Sequence, residues 1–252
     1  MAKVSILIPV RNEGINIRIM LKILNAVIDM ENEILVIYDS GDDDTIPAVK
    51  SMDKLYSNVK LVHNDLGKGV VNAIRSGVKV STGDYILIFA ADEIGPVLAV
   101  DDMVALLDQG CDLVSCTRYA YGGRRLGGSL IGGFLSRIAN KMLCILSGSV
   151  LTDATTGIKI FKRKVFEEIP LESRPIGWAF IFELAVKAQE KGLKLGEVPI
   201  VSIDRLYGGK SSFLLWPWVK EYLRWFFWAV RHLPAARRME KPIVRIPQST
   251  IN

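Results

Sequence analysis

The sequence contains few residues that serve as nucleophiles, general bases or soft metal ligands, with two histidines and three cysteines among 252 residues. The cysteines at positions 111, 116 and 144 lack the spacing of a metal site, so we expect buried, reduced thiols. No G-x-G-x-x-G motif follows the first apolar run, which argues against a dinucleotide-binding oxidoreductase. No basic run interleaved with aromatics occurs in the first 212 residues, so nucleic acid is not an expected partner. The N-terminus enters an apolar run without a charged leader, and we expect a cytoplasmic protein.

What the sequence does contain is a repeated pattern in which an apolar run ends and acidic residues follow. Glu13, Asp39 and Asp92 are the first acidic residues after three such runs. Near-continuous apolar runs separated by helical patterns predict an α/β fold with a mostly parallel sheet flanked by helices. The predicted strands are 3–10, 33–39, 58–63, 84–89 and 111–117, and the predicted helices are 13–29, 43–54, 67–80 and 97–109. Because ligands bind at the carboxyl ends of such strands, the acidic clusters indicate a site for a metal ion and a nucleotide diphosphate.

The pattern changes after Tyr119. Several glycines surround two arginines, and an amphipathic stretch follows at about residues 129–147. A second unit is predicted over 153–205, with a helix near 178–191 and a strand near 195–203 that begins after Lys194. The segment Ile158-Lys159-Ile160-Phe161 within this unit also has the character of a strand.

Six motifs occur in an order and at spacings typical of one enzyme family. They are Ile8-Pro9-Val10-Arg11-Asn12-Glu13, Tyr38-Asp39-Ser40, Ala90-Ala91-Asp92, Thr117-Arg118-Tyr119, Asp153-Ala154-Thr155-Thr156-Gly157 and Asp204-Arg205-Leu206-Tyr207-Gly208-Gly209-Lys210. Over about residues 3–212 the chain resembles family 2 glycosyltransferases with the Rossmann-like GT-A fold, in the branch of dolichol-phosphate mannosyltransferases and other polyprenyl-phosphate glycosyltransferases. The resemblance implies a GT-A domain over 1–212. The resemblance implies an inverting transfer of a sugar from a nucleotide-diphospho-sugar to a dolichyl- or undecaprenyl-type phosphate at the cytoplasmic face of a membrane.

The resemblance also implies which side chains bind the donor. The expected donor-binding residues are Pro9, Asn12, Glu13, Asp39, Lys68, Asp92, Glu183, Arg205 and Lys210. The first four would contact the base and ribose, Lys68 a phosphate, Glu183 a sugar hydroxyl, and the last two the diphosphate. Simpler explanations stay open: Asn12 caps the next helix with Glu13 favourable to its dipole, and Asp42 to Asp44 begin a helix and face water.

Asp92 is the expected ligand of a divalent cation, with Glu93 as a supplementary ligand. Carboxylate oxygens suit Mg²⁺ or Mn²⁺, and such an ion stabilises the charge that develops on a leaving diphosphate. The family usually carries Asp-x-Asp here, whereas this chain has Ala90 at the first position. A nucleotide-sugar-binding protein without turnover therefore stays open as an alternative.

Arg118 and Arg137 are the expected ligands of the acceptor phosphate, because arginines at matching positions have that role in the family. Asn140 lies on the same helical face as Arg137 and is expected to assist. The acceptor phosphate is already an anionic nucleophile, so no strong general base is required. The predicted catalytic residues are therefore Asp92, Arg118 and Arg137. A solvated helix face is the alternative for Arg137, and a glycan or other acceptor is the alternative substrate.

Residues 213–233 contain four of the five tryptophans together with three basic residues. A bilayer-spanning helix needs about 20 predominantly apolar residues, whereas a basic, aromatic, amphipathic helix lies in the membrane interface. We therefore predict monotopic attachment to a membrane surface through 213–240. Packing on the protein or in a homodimer, and a spanning helix, are the alternatives. The polar tail 241–252 is expected to be mobile.

Overall fold

The computed structural model describes residues 3–127, 130–203, 215–233 and 241–246. The strands are β1 (Val4–Val10), β2 (Asn32–Tyr38), β3 (Val59–His63), β4 (Tyr85–Ile88), β5 (Leu113–Thr117), β6 (Arg124–Leu126), β7 (Lys159–Lys162), β8 (Leu195–Pro199), β9 (Val201–Ile203) and β10 (Ile243–Val244). The helices are α1 (Gly14–Val27), α2 (Thr45–Lys50), α3 (Val70–Val80), α4 (Val100–Asp108), α5 (Leu130–Ser147), α6 (Arg163–Glu168), α7 (Ala179–Glu190) and α8 (Leu215–His232), and a 3-10 helix spans Gly95–Ala99.

Within the described residues, eight strands form one sheet in the order β10-β8-β5-β7-β4-β1-β2-β3. β7 runs antiparallel to its neighbours β4 and β5, and the other neighbouring pairs are parallel. Because β4 and β5 both oppose β7, the carboxyl ends of β1, β2, β4 and β5 open at the same edge. The mostly parallel sheet flanked by helices confirms the predicted fold class.

The apolar strands are buried on both faces, as their continuous hydrophobicity predicts. Ile6 and Ile8 of β1 enter a core with residues of α1 and α4, whereas Leu7 enters a second core with residues of α3 and α7. The sheet therefore lies between two helical layers, and its carboxyl edge is left for polar loops.

The prediction of a second unit over 153–205 is wrong, because this segment belongs to the same sheet. β7 inserts between β4 and β5, and β8 pairs with the other side of β5. Ile160 and Phe161 of β7 are fully buried, one in each of the two cores. The strand-like character of 158–161 is visible in the sequence, but the partners of this strand are distant in the chain.

The expectation of a mobile tail is also wrong for the part that the structure describes. Ile243 and Val244 pair with Gly196 and Glu197 of β8, which adds a short edge strand to the sheet. The Arg245 side chain forms an ion pair with Asp102. These contacts attach residues 241–246 to the body.

Helix α8 packs on the protein, which is one of the alternatives to membrane attachment. Trp225 is 1% exposed and lies in the same core as Phe182 and Ala185 of α7. Other large side chains of α8, among them Trp216 and Phe227, are exposed. Among the described residues, no helix has both the length and the apolar character needed to cross a bilayer.

The packing of α8 predicts a large effect of one tryptophan. Trp225→Ala should lower the free energy of unfolding by about 3–5 kcal/mol, because it leaves a cavity in the core. Trp216→Ala is the matched control: this side chain is 72% exposed, and we expect a change within about 0.5 kcal/mol. Urea unfolding of both variants measures the difference, and equal stability would show that α8 does not contribute to the core.

Candidate active site

The loop after β1 is held by the segment after β2. Three backbone N–H groups of this loop donate to side chains of that segment: Asn12 to Asp43 (3.1 Å), Glu13 to Thr45 (3.0 Å) and Gly14 to Asp44 (2.9 Å). Asn12 has a φ of 56°, in the left-handed region that asparagine tolerates better than most residues. Pro9 lies beyond the last pairing of β1 with β4, so its missing N–H breaks no hydrogen bond on that side.

The structure contradicts one of the simpler explanations for these residues and part of the other. The residue that precedes α1 at its N-cap is Glu13, so Asn12 does not cap the helix. Of Asp42 to Asp44, the first and last are exposed as expected, and Asp44 precedes α2 at its N-cap. Asp43 differs: it is 6% exposed, and its carboxylate accepts from the N–H groups of Asn12 and Thr45. Contact of Pro9, Asn12 and Glu13 with a base or ribose stays a prediction.

Asp39, directly after β2, connects three segments of this edge. Its carboxylate accepts from the Asn64 amide at 2.7 Å and from the Gly69 N–H at 3.0 Å. Gly69 has a φ of 122°, and a Cβ there would lie 2.3 Å from the carbonyl oxygen of Pro175, so only glycine fits. Asp39 therefore positions the glycine loop that contains the exposed Lys68, and its direct contact with a nucleotide stays a prediction.

Lys68 lies near the acidic residues that follow β2. Its charge adds to the hydrogen bond from Ser40 in lowering the pKa of Asp42. The side chain is exposed and close to the carboxyl end of β2, a position compatible with the predicted phosphate contact.

Asp92 and Glu93 follow β4, and both side chains are half-buried. The chain then approaches β9 so closely that a Cβ on Gly95 would lie 1.8 Å from the carbonyl oxygen of Val201. The negative charge of Glu93 contributes to raising the pKa of Arg118, so these two side chains interact electrostatically. In the described part of the chain, no group of three His, Cys, Asp or Glu side chains could hold a metal ion.

Arg118, directly after β5, forms a bidentate ion pair with the fully buried Asp153. The Nε–Oδ2 distance is 2.7 Å and the Nη2–Oδ1 distance is 3.0 Å. Burial alone would lower the pKa of Arg118, but Asp153 and Glu93 raise it above its usual range. The guanidinium carbons of Arg118 and Arg137 lie 5.1 Å and 5.9 Å from the centre of the Tyr119 ring. Both predicted phosphate ligands thus gather at one aromatic side chain.

Asn140 has a different environment from the exposed Arg137 on the same helix. It is 2% exposed, and its amide donates to Thr155 Oγ1 at 2.9 Å and accepts from the Ala154 N–H at 2.9 Å. These contacts attach α5 to the loop that contains Asp153. The predicted contact of Asn140 with a phosphate stays a prediction, and the contacts present hold that loop.

Glu183, predicted to bind a sugar hydroxyl, is fully buried in α7. Its carboxylate accepts from the N–H groups of Glu172 (2.6 Å) and Ser173 (2.8 Å) and pairs with Lys187 at 2.7 Å. The contacts present therefore support the 170–174 segment. Arg205 and Lys210, the two predicted diphosphate ligands, lie outside the described residues.

Two charged residues that the sequence motifs do not single out lie beneath this site. Lys159 of β7 and Glu197 of β8 are fully buried. Burial lowers the pKa of Lys159 to about 8 and raises the pKa of Glu197 to about 7. For each residue the sequence signal is a charge between apolar neighbours, as in Ile158-Lys159-Ile160 and Gly196-Glu197-Val198.

Comparison with known proteins assigns the family. The family model of glycosyl transferase family 2 matches residues 5–170. The chain belongs to this family. The resemblance to family 2 glycosyltransferases that the motifs indicate is therefore confirmed.

Curated relatives narrow the branch. The chain is 27% identical over 252 residues to a dolichol-phosphate mannosyltransferase from Pyrococcus furiosus, covering 99% of this chain and 68% of that one. It is 26% identical over 218 residues to an undecaprenyl-phosphate 4-deoxy-4-formamido-L-arabinose transferase from Klebsiella pneumoniae, covering 84% of this chain and 63% of that one. The chain thus spans about two thirds of the length of these two relatives.

Solved structures support the GT-A fold. Glucosyl-3-phosphoglycerate synthase from Mycobacterium tuberculosis, in complex with Mn²⁺, UDP-glucose and phosphoglyceric acid, superimposes with a TM-score of 0.68 at 17% identity. The match covers 98% of this chain and 81% of that chain. At this identity the likeness shows the fold.

The raised pKa of Glu197 predicts a pH dependence of stability. Its pKa is about 7 in the folded protein against 4.5 for an exposed glutamate, so between these pH values the folded state holds a proton that the unfolded state has released. The free energy of unfolding should therefore fall as the pH rises, by about 2 kcal/mol from pH 5 to 7 for this group. Glu197→Gln is neutral throughout and should lack this contribution in urea unfolding at several pH values.

The matched control is Glu33→Gln. Glu33 is also buried and accepts from the N–H and hydroxyl of one threonine, Thr82. Although burial opposes its charge, the hydrogen bonds from Thr82, Ser5 and Lys60 lower its pKa to about 2, so the variant should leave the pH 5–7 dependence unchanged. If Glu197→Gln also leaves that dependence unchanged, Glu197 does not titrate in this range.

Proposed function

We propose that this protein is an inverting glycosyltransferase that moves a sugar from a nucleotide-diphospho-sugar to a polyprenyl phosphate at a membrane surface. The observation that carries the proposal is that a pair of carboxylates and a pair of guanidinium groups lie at the same edge of the sheet. The carboxylates of Asp92 and Glu93 follow β4, and the guanidinium groups of Arg118 and Arg137 gather at Tyr119 after β5. A donor diphosphate with its cation would suit the first group, and an acceptor phosphate the second.

The donor side would use the loops after β1, β2 and β4. The curated relatives are named as transferases of sugars, and the M. tuberculosis enzyme was solved with UDP-glucose and Mn²⁺. Asp92 and Glu93 fit a hard divalent ion, since Mg²⁺ is commonly held by one or two carboxylates with the remaining ligands from substrate phosphates and water. Bound there, Mg²⁺ or Mn²⁺ would act as a Lewis acid for the leaving diphosphate. The polar contacts of Asp39, Asp43 and Thr45 would keep the nucleotide loops in place.

The acceptor side would use Arg118 and Arg137. Asp153 occupies the Nε–Nη2 side of Arg118 and fixes the plane of its guanidinium. Arg137 is exposed on α5 and can approach a phosphate from solvent. An oxygen of that phosphate would attack the anomeric carbon as the bond from this carbon to the diphosphate breaks. Because the phosphate is already an anion, no proton has to be removed from the nucleophile.

The surroundings of Arg137 favour a lipid acceptor over a small one. Phosphoglyceric acid, a small phosphorylated molecule, is bound in the M. tuberculosis enzyme. In this chain Arg137 is flanked by large exposed apolar side chains of the same helix. They are Phe134, Leu135, Ile138, Met142, Ile145 and Leu146. An exposed apolar surface of this kind suits contact with acyl chains next to the phosphate-binding cation.

Helix α8 carries exposed apolar side chains of its own. It packs against α5 and presents Trp216, Leu223 and Phe227 outward, together with the exposed cation of Lys220. We define the α5–α8 surface as the exposed apolar side chains of these two helices. Its occupant would be the interface of a bilayer that contains anionic lipid, because basic side chains accompany the apolar ones. The membrane prediction thus involves α5 as well as the C-terminal segment.

The transfer reaction tests the proposed function. Purified protein with a panel of nucleotide-diphospho-sugars, Mg²⁺ or Mn²⁺, and a polyprenyl phosphate should release nucleoside diphosphate and form glycosyl-phosphoryl-lipid, detected by mass spectrometry. Asp92→Asn should lower the rate on the order of a hundredfold, because a charged metal ligand becomes neutral. Asp42→Asn, on an exposed acid of the same edge, is the control and should retain activity.

Three results would contradict parts of this proposal. Donor binding without diphosphate release would favour the non-catalytic alternative suggested by Ala90. Transfer to a small phosphorylated acceptor in place of the lipid would overturn the acceptor assignment. Equal rates for Asp92→Asn and the wild-type protein would overturn the metal assignment.

Flotation with vesicles of phosphatidylglycerol and phosphatidylethanolamine tests the α5–α8 surface. Ile145→Glu and Phe227→Glu should each weaken vesicle binding about tenfold or more, because an apolar contact is lost and a charge is introduced. Leu55→Glu is the control, since Leu55 is equally exposed but lies elsewhere on the chain. Equal binding by all three variants would reject the α5–α8 surface as the membrane contact.

A further inference from the structure

We propose that Lys159, Ser115 and Glu197 form a buried polar row that positions Arg118 for transfer. The inference rests on the proposed function and assigns a role to residues that do not touch a substrate. The row holds the 152–156 loop, the loop holds Asp153, and Asp153 fixes the guanidinium of Arg118.

The three residues lie side by side across the sheet. Ser115 is in β5, and its register partners are Lys159 in β7 and Glu197 in β8. All three side chains are fully buried. Ser115 lies two positions before Thr117, the last residue of β5, and Arg118 follows directly.

Each member of the row bonds the backbone of the 152–156 loop. Glu197 Oε1 accepts from the N–H groups of Thr152 (2.7 Å) and Asp153 (3.3 Å). Ser115 Oγ donates to the Asp153 carbonyl oxygen at 3.1 Å. The Lys159 ammonium donates to the carbonyl oxygens of Ala154 (3.1 Å) and Thr156 (2.8 Å). The loop that presents Asp153 is thus bonded to three neighbouring strands.

Burying two ionisable groups to hold a loop costs free energy, because each charge loses its hydration. A hydrogen-bonded buried network does, however, restrict a segment to one arrangement. Precise placement of Arg118 explains why such groups lie here, since a misplacement of about 1 Å can reduce a rate on the order of a hundredfold. The titratable groups that interact electrostatically with Glu197 include Asp153, Tyr121, Cys144 and Lys159.

The test compares Glu197→Leu, which removes the acceptor oxygen, with Glu197→Gln, which keeps it. We expect Glu197→Leu to lower kcat/KM for polyprenyl phosphate on the order of tenfold or more with unchanged donor affinity, and Glu197→Gln to restore most of it. In ¹⁵N NMR of arginine side chains, the Arg118 Nε–H should exchange faster with solvent in Glu197→Leu. Glu33→Leu is the control. It removes a similarly buried carboxylate in β2, which β4 and β1 separate from β7, and it should leave both measurements unchanged.

The outcomes separate this inference from the function on which it rests. If the wild-type protein transfers no sugar, the proposed function fails and the inference falls with it. If the wild-type protein transfers sugar but Glu197→Leu keeps its Arg118 signal or its acceptor kinetics, only the inference is overturned. Should Glu197→Leu not fold, Ser115→Ala, which removes a single hydroxyl, takes its place with the same expected changes in both measurements.

Discussion

The buried ion pair between Arg118 and Asp153 is the interaction on which the proposed acceptor side of the site depends. It joins the end of β5 to a loop residue 35 positions later in the chain. Removing one partner of such a pair typically costs about 3–5 kcal/mol, because the other is left as an uncompensated buried charge. The pair can form only because β7 returns antiparallel beside β5 and carries the loop to the carboxyl edge of the sheet. Asn140 adds α5 to the same arrangement, so helix, loop and strand are held at one place.

The loops on the proposed donor side of this edge are held by a different kind of contact. There, loops after neighbouring strands hold each other through side chains that accept backbone N–H groups. Asp43 and Thr45 hold the loop after β1, and Asp39 holds the glycine loop after β3. Short acidic side chains therefore have structural work at positions where a nucleotide is also expected. A loop whose backbone is already bonded loses less conformational entropy when a ligand binds.

Helices α5 and α8 combine packing with exposure. One side of α8 completes the core through Trp225, while large apolar side chains of both helices remain at the surface. The aromatic residues of α8 thus lie on two faces of the helix, one that packs on the core and one that is exposed. The aromatic residues of an amphipathic segment do not by themselves indicate which stripe meets lipid and which meets protein.

The sequence by itself determined the α/β class, the first five strands and the family, because alternating apolar runs and ordered motifs are local signals. It also singled out Arg118, whose place after a strand is visible in the chain. Only the tertiary structure decided that residues 153–205 join the main sheet, that part of the tail pairs with β8, and that Asn140 is buried. β7 and β10 pair with strands far away in sequence, and no local pattern specifies those partners. Lys159 and Glu197 form one row with Ser115 only because three strands from distant parts of the chain lie side by side in register.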